Sequence, residues 1–376
     1  MRKNQVLQTL KELINIPSYV SEDKDESKLV DYIYNFLSSN TNLKVERQNV
    51  ENNRANIIAY KNKSPKIIFF GHMDTVPPKI ETQNPFESRE EDGKLYGLGS
   101  VDMKAGLAIM LEIAKVHKDS DDIAYVFTVD EEYEFKGAYK LIEKYVFRPK
   151  FIISIEPTSL KVLNGCRGVT EFSFETHGKS CHAGVKHQGI NAIEKTVELF
   201  DLLQKEISKF DKPDTVNSLN LAYLNGGVLK LDGDVSYSGN VVPNYAKCVG
   251  EIRLADSKIT KEYVKDKIRE IGALLKLEIT NIDFKFLVGH MYTPKENIKD
   301  FEDSVARNHL TCEYSSINET GYFEVQLLQE KWKGSVVIFG PGPTSMSHCA
   351  NEYVDIDTVN QTLYVIEDFI KKEGAD

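Results

Sequence analysis

Apolar residues along this chain occur in two patterns, short unbroken runs and longer stretches with helical spacing. The unbroken runs are rich in Ile, Val and Phe, which is typical of strands buried on both faces of a parallel sheet. They make up most of residues 66–71, 123–130, 151–155 and 335–342. Helical spacing predicts helices around residues 7–14, 30–37, 105–115, 139–145 and 359–371. Their alternation predicts the α/β class.

The pattern changes in the middle of the chain. Alternating and amphipathic stretches predict strands at 169–176, 219–224, 246–254 and 277–288, and helices at 191–210 and 261–275. In chain order these elements form a ferredoxin-like β-α-β-β-α-β unit. We therefore predict that residues 1–166 and 290–376 form one domain, with a mostly parallel sheet and helices on both faces, and that residues 167–289 are inserted into it.

Acids and imidazoles follow the apolar runs or lie in the loops after them. In open α/β sheets the functional groups gather beyond the carboxyl ends of the strands. The sequence therefore predicts that these groups converge, as a ligand set for two divalent metals with one carboxylate to spare. The candidate residues are His72, Asp102, Glu131, Glu132, Glu156 and His348.

The order and spacing of these residues suggest how they share the chemistry. Asp102 is central and follows a glycine-rich loop, so it is the natural carboxylate to bridge two metals. Glu131 and Glu132 are neighbours that point opposite ways in an extended segment, so one can bind metal while the other acts as a base. Asp74 lies two residues after His72, where it can orient the imidazole ring.

Composition narrows the classes of protein further. The formal net charge of −10 disfavours nucleic acid or an anionic membrane as a partner. Five cysteines without a CxxC pair indicate reduced thiols and a cytoplasmic protein. The sequence has no run of about 18 apolar residues that would predict a membrane span, and the N-terminal residues lack an apolar signal core.

Several strings resemble the zinc aminoacylase/carboxypeptidase family, which includes acetylornithine deacetylase and succinyl-diaminopimelate desuccinylase. They are Gly-His-Met-Asp-Thr-Val-Pro at 71–77, Gly-Leu-Gly-Ser-Val-Asp-Met-Lys-Ala-Gly at 97–106, Asp-Glu-Glu at 130–132, Glu-Pro at 156–157, and Phe-Gly-Pro-Gly at 339–342 followed by His348. The strings occur in the family's order and span most of the chain.

The resemblance implies two Zn²⁺ per chain, with Co²⁺ or Mn²⁺ as substitutes. By this resemblance His72 and Glu156 hold one zinc, while Glu132 and His348 hold the other. Asp102 then bridges the two ions, Glu131 is the general base and Asp74 supports the ligands from behind. The family often has a cis peptide after the bridging Asp, which here would join Asp102 and Met103.

The inserted segment also resembles the family. Residues 178–184 with 189–193 match a motif that we call the lid motif, and its His182 would reach the substrate carbonyl across a homodimer formed through the insert. The segment 239–243, which contains Asn240, together with Arg253 resembles the part that binds a substrate carboxylate. The insert is therefore expected to be a lid and dimerisation domain.

These features favour an amidohydrolase that removes the acyl group from an N-acyl amino acid. Family members with Glu at the position of Glu156 tend to act on N-acyl amino acids or C-terminal residues, whereas members with Asp tend to be aminopeptidases or dipeptidases. A carboxypeptidase or dipeptidase acting on a short peptide with a free carboxylate is the alternative within the family. A catalytically inactive binding homologue is the alternative from another class. The sequence does not reveal which acyl group is removed.

Overall fold

The computed structural model describes residues 2–21 and 25–375. Its helices are α1 (Arg2–Ile14), α2 (Ser27–Asn40), α3 (Ala105–Val116), α4 (Lys136–Lys144), α5 (Ala192–Ile207), α6 (Lys261–Leu274), α7 (Lys299–Arg307), α8 (Val325–Trp332) and α9 (Ile356–Glu373). Its strands are β1 (Lys44–Glu51), β2 (Arg54–Tyr60), β3 (Ile67–His72), β4 (Arg89–Glu91), β5 (Lys94–Tyr96), β6 (Ile123–Thr128), β7 (Phe151–Ser154), β8 (Gly165–Cys166), β9 (Gly168–His177), β10 (Ser218–Leu229), β11 (Val235–Ser236), β12 (Tyr245–Leu254), β13 (Glu278–Val288), β14 (Met291–Tyr292), β15 (Ser335–Ile338) and β16 (Tyr353–Asp355). Within these ranges no helix has the length and apolarity needed to cross a membrane.

The chain divides into two compact units. The first contains the chain up to Gly165, Tyr292–Ser316 and the chain from Phe323 onward, and the second contains Cys166–Met291 and Ile317–Tyr322. The segment Ile317–Tyr322 lies outside the insert predicted at residues 167–289, whose bounds are otherwise close to those of the second unit. Its residue Asn318 explains the difference, because its carbonyl accepts a hydrogen bond from Nη2 of Arg167 at 2.7 Å and its side chain accepts one from the amide of Val216 at 2.9 Å.

The first unit is built on a six-stranded sheet of order β1-β2-β6-β3-β7-β15. The strands β6, β3, β7 and β15, which the apolar runs predicted, are parallel, whereas β1 and β2 are antiparallel to their neighbours. Three of the five strand pairings are therefore parallel, as expected for a mostly parallel sheet, and the sheet is mixed because a hairpin turning at Asn52 and Asn53 adds two antiparallel pairings at one side. The α/β class is confirmed.

The sheet of the first unit is buried on both faces. One set of alternate strand residues belongs to a core cluster with apolar residues of α1, α2, α3, α7 and α9, and includes Ile57, Phe69, Tyr125, Ile153 and Val337. The other set is equally buried and includes Ile58, Ile68, Val126, Ile152 and Val336. The helices α4 and α8 pack on each other, with α4 beside β1 and β2 and α8 beside β15. Helices thus lie on both faces, and polar side chains are left for the strand ends.

The second unit has an antiparallel sheet of order β11-β10-β12-β9-β13. Its main elements follow the order β9, α5, β10, β12, α6 and β13, with the short strand β11 as an addition. Phe172 and Phe174 of β9 stack with Phe200 of α5, and these rings are part of the unit's own apolar core. The second unit therefore has the packing of a separate folding unit.

Candidate metal centre

The ends of the parallel strands bring the predicted ligands together. His72 is the last residue of β3, Glu131 and Glu132 lie in the turn after β6, Glu156 follows β7, and His348 follows β15. Three groups of side chains have ligand atoms within 4.8 Å of one another, namely His72 with Asp102 and Glu156, Asp102 with Glu132 and His348, and His72 with Glu131 and Glu132.

Asp102 is shared between the first two groups. Its Oδ1 lies 3.2 Å from Nε2 of His72, and its Oδ2 lies 3.6 Å from Nε2 of His348. His72 Nε2 is also 3.6 Å from Oε1 of Glu156, and His348 Nε2 is 2.9 Å from Oε2 of Glu132. The peptide between Asp102 and Met103 is cis, as the resemblance implied. Imidazole nitrogen and carboxylate oxygen are donors that suit zinc, so the residues present fit a pair of divalent ions that share one carboxylate.

Asp74 supports the site in a way that its spacing alone did not predict. The backbone carbonyl of Asp74, rather than its carboxylate, accepts the hydrogen bond from Nδ1 of His72 at 3.0 Å, which turns Nε2 toward Asp102 and Glu156. The Asp74 carboxylate instead accepts hydrogen bonds from the amides of Glu131 and Glu132, at 3.1 and 2.9 Å. Asp74 therefore orients the ring through its main chain and the two glutamates through its side chain.

Burial sets the protonation of the centre. It raises the pKa of Glu156 to about 7 and holds the pKa of Glu131 well above its usual range, where Glu132 and Glu156 add to the effect. Burial lowers the pKa of His72, but Glu156 and Asp102 outweigh it and the pKa is raised. Protons therefore occupy this cluster when metal does not, and metal binding releases them.

Two buried acids near the centre were not predicted. Glu352 accepts hydrogen bonds from the amides of Gly99, Val101 and Asp102, at 2.8, 2.8 and 3.0 Å, and so fixes the loop that presents Asp102. Glu324 is buried and accepts a hydrogen bond from Thr128 Oγ1. Glu352 comes four residues after His348, and this spacing from a candidate ligand could have indicated a role at the site. The sequence around Glu324 offers no such signal.

The three candidates in the second unit fall into two places. His182 lies in the loop after β9, and Asn240 lies in the loop before β12. The two loops are adjacent, because the amide of Ala183 donates a hydrogen bond to the carbonyl of Asn240 at 2.8 Å. Nδ1 of the exposed His182 accepts a hydrogen bond from the amide of Gly184 at 3.1 Å. Arg253 lies near the other end of β12, where its Nε donates to Oε1 of Glu251 at 2.8 Å and its guanidinium lies 5.1 Å from the ring centroid of Tyr322.

The fold and the site together define a metal-dependent hydrolase. Residues 68–372 match peptidase family M20/M25/M40, so the chain belongs to this family and is an enzyme that acts on a linear amide bond. The family resemblance of the motifs is thereby confirmed. The six residues predicted as metal ligands or base all lie in these groups of side chains, which argues against an inactive homologue.

The chain is similar to other proteins over nearly its whole length. An acetylornithine deacetylase from Buchnera aphidicola subsp. Schizaphis graminum is 27% identical, over 96% of this chain and 95% of its own. A probable succinyl-diaminopimelate desuccinylase from Staphylococcus aureus is 26% identical, over 92% of both chains. Among solved structures, a tripeptidase from Staphylococcus aureus has a TM-score of 0.73 at 22% identity and covers 98% of both chains, which shows the shared fold.

Proposed function

We propose that the chain is a dinuclear zinc amidohydrolase that removes the acyl group from an N-acyl amino acid. The observation that carries the proposal is Glu156, which lies in one candidate metal group with His72 and Asp102. Glutamate at this position favours N-acyl amino acids in the family that the motifs resemble. The deacetylase and desuccinylase names of the similar sequences support the same class of substrate and a role in amino-acid biosynthesis.

The side chains divide the chemistry between them. When bound, two zinc ions polarise the amide carbonyl and lower the pKa of a water molecule. His72 and Glu156 would hold one ion, Glu132 and His348 the other, and Asp102 both; Co²⁺ or Mn²⁺ would be accepted in the same positions. Glu131 takes the proton from the attacking water and delivers it to the leaving nitrogen. Its place beside Glu132 in the turn after β6 lets it serve as a base that is not needed as a metal ligand.

The second unit would supply the groups that bind the substrate. Because Nδ1 of His182 accepts a hydrogen bond, Nε2 of the neutral ring carries the hydrogen and can donate a hydrogen bond to the oxyanion. Asn240 and Arg253 would bind the substrate's carboxylate end, since a guanidinium suits that group. From Tyr245 to Arg253 an extended strand spans roughly 26 Å, more than a small substrate. A homodimer formed through this unit would therefore place His182 and Asn240 of one chain at a substrate held by Arg253 of the other.

A carboxypeptidase or dipeptidase is the second candidate. Glutamate at the position of Glu156 also fits enzymes that act on C-terminal residues, and Arg253 suits the carboxylate of a peptide equally well. We place the enzyme in the cytoplasm, because its five cysteines, all within the described residues, form no disulfide.

A substrate panel tests the proposal. The zinc-loaded and cobalt-loaded protein is assayed with N-acetyl and N-succinyl amino acids, dipeptides and tripeptides, with Glu131→Gln as the blank for contaminating activity. We expect the largest kcat/KM for one N-acyl amino acid. A larger value for a dipeptide or tripeptide would instead select the peptidase, and no hydrolysis of any amide would contradict both.

A further inference from the structure

A buried ion network lies behind the turn that carries Glu131 and Glu132. Arg54, the first residue of β2, donates from Nε and Nη2 to the two carboxylate oxygens of Glu26, each at 2.7 Å. Its Nη2 also donates to Oδ1 of Asp130 at 2.6 Å. All three side chains are buried, with 6%, 0% and 2% of Arg54, Glu26 and Asp130 exposed. The guanidinium therefore joins β2 and the segment before α2 to the residue that precedes Glu131.

Asp130 organises the turn in which the two glutamates lie. Its φ of 74° is in the left-handed region, which a residue with a side chain adopts only where its surroundings hold it. The second oxygen, Oδ2, accepts hydrogen bonds from the amides of Glu134 and Lys136 at 3.3 and 3.2 Å. Oδ1 is left for Arg54, so the guanidinium and the turn bind opposite oxygens of one carboxylate.

The turn is thus held between two buried carboxylates. Asp74 accepts hydrogen bonds from the amides of Glu131 and Glu132, and Asp130 accepts those of Glu134 and Lys136. The hydrogen bond from Arg54 holds the Asp130 carboxylate in place. Arginine suits this position because its planar fork binds Glu26 with two parallel N–H groups while a further hydrogen reaches Asp130. Lysine keeps the charge but has no such fork.

We infer that Arg54 is a positioning residue of the metal centre, acting through Asp130 to set the direction of Glu132 toward the group that it forms with Asp102 and His348. The inference rests on the proposed function for its kinetic consequence, but its direct effect is on metal affinity. Groups that orient metal ligands typically change metal affinity or activity by about 10–100-fold when they are altered. Asp130 lies in the same turn as Glu132, whereas His72 and Glu156 follow other strands, so the two ions should respond unequally.

The test compares Arg54→Lys and Asp130→Asn with the wild-type chain. Zinc is titrated calorimetrically into the metal-free protein, whose folding is checked by circular dichroism, and kcat and KM are measured after loading. We expect one of the two zinc ions to bind about 10–100-fold more weakly and the other to keep its affinity. We expect kcat to fall by a similar factor, with KM within about twofold. Asp130→Asn leaves the Arg54–Glu26 pair in place, so it remains informative if replacing Arg54 prevents folding.

Glu51→Gln is the matched control. Oε2 of Glu51 also contacts Arg54, at 3.5 Å, but this side chain is 44% exposed and lies on the side of Nη1, away from the Nη2 that binds Asp130. The Glu51→Gln substitution should leave both zinc affinities and kcat unchanged. Equal weakening of both ions, unchanged affinities in folded Arg54→Lys and Asp130→Asn, or the same loss in Glu51→Gln would each overturn the inference. Absence of amide hydrolysis by the wild-type chain would contradict the proposed function alone, because the metal titration remains readable.

Discussion

The two units hold their candidate functional residues in opposite ways. In the first unit His72 is 2% exposed, and the acids around it are held by hydrogen bonds from distant parts of the chain. In the second unit His182 is exposed, and its side chain is fixed by an amide only two residues away. Hydrogen bonds between distant residues set the geometry of the buried centre within one chain. A single local hydrogen bond leaves the exposed histidine accessible to a group on another surface.

His348 is the exception within the first unit. Its side chain is 52% exposed although it lies 2.9 Å from Glu132. The centre is therefore open to solvent on the side of His348 and closed on the side of His72. The contrast between the two units can be tested, beginning with the largest expected effect.

Removing the metals should abolish activity altogether. The first unit supplies a ready set of carboxylates and imidazoles, but without the ions the site has no Lewis acid to polarise the amide carbonyl and activate a water molecule. Chelation followed by dialysis should leave a folded, inactive protein, and zinc or cobalt should restore turnover. Full activity in a preparation that contains no metal by elemental analysis would contradict the mechanism.

Replacing Glu131 should have the next largest effect. Glu131→Gln removes the base but keeps the shape, so we expect kcat to fall by about 10²–10⁴-fold with two metals per chain retained. Glu134→Gln is the control, because Glu134 lies in the same turn with a 61% exposed side chain. Near-normal kcat in Glu131→Gln would transfer the role of base to another residue.

Replacing His182 tests the exposed side of the comparison. His182→Ala should retain both metals and lose about 10²–10³-fold in kcat, as expected for one lost oxyanion donor. His187→Ala, in the same exposed turn, should have no such effect.

Mixing the two inactive variants shows whether His182 acts across a dimer. When His182→Ala and Glu131→Gln chains exchange subunits at random, about half of the dimers are mixed and each has one site with both wild-type groups. Activity should recover to about a quarter of the wild-type value. No recovery in demonstrably mixed dimers would show that His182 serves its own chain.

The smallest effect concerns the pH dependence of stability without metal. The pKa of Glu156 rises from 4.5 to about 7 on folding, so the folded state favours the protonated acid. Its contribution to stability is fully present below pH 4.5 and is lost as the pH rises through 7; the raised pKa of His72 acts in the same direction. Between about pH 5 and 7 the free energy of unfolding of the metal-free protein should fall by about 1–3 kcal/mol. Glu156→Gln should flatten this slope, and an unchanged slope would rule out Glu156 as its source.

The sequence predicted best what depends on local patterns. The strands β3, β6, β7 and β15 are apolar on both faces, so their runs and the ligands after them were visible directly. The strand β1 was missed because Lys44, Glu46 and Arg47 interrupt its apolar positions.

The supports of the site were missed for a different reason. Arg54 and Glu352 act through hydrogen bonds to residues 76 and 250 positions away, which no local spacing reveals. Asp74 was predicted from its spacing, but which of its groups binds the imidazole depends on the backbone path.

The hydrogen bond between Glu352 and the amide of Asp102 also constrains when activity can arise during synthesis. The two residues are 250 positions apart. At roughly 5–20 residues per second, a ribosome needs roughly 12 to 50 s to translate the segment between them. Throughout that interval the nascent polypeptide contains His72 and Asp102 but neither His348 nor the Glu352 carboxylate that fixes the Asp102 loop. The candidate metal centre can therefore be completed only late in synthesis, after the segment that carries His348 and Glu352 has been translated.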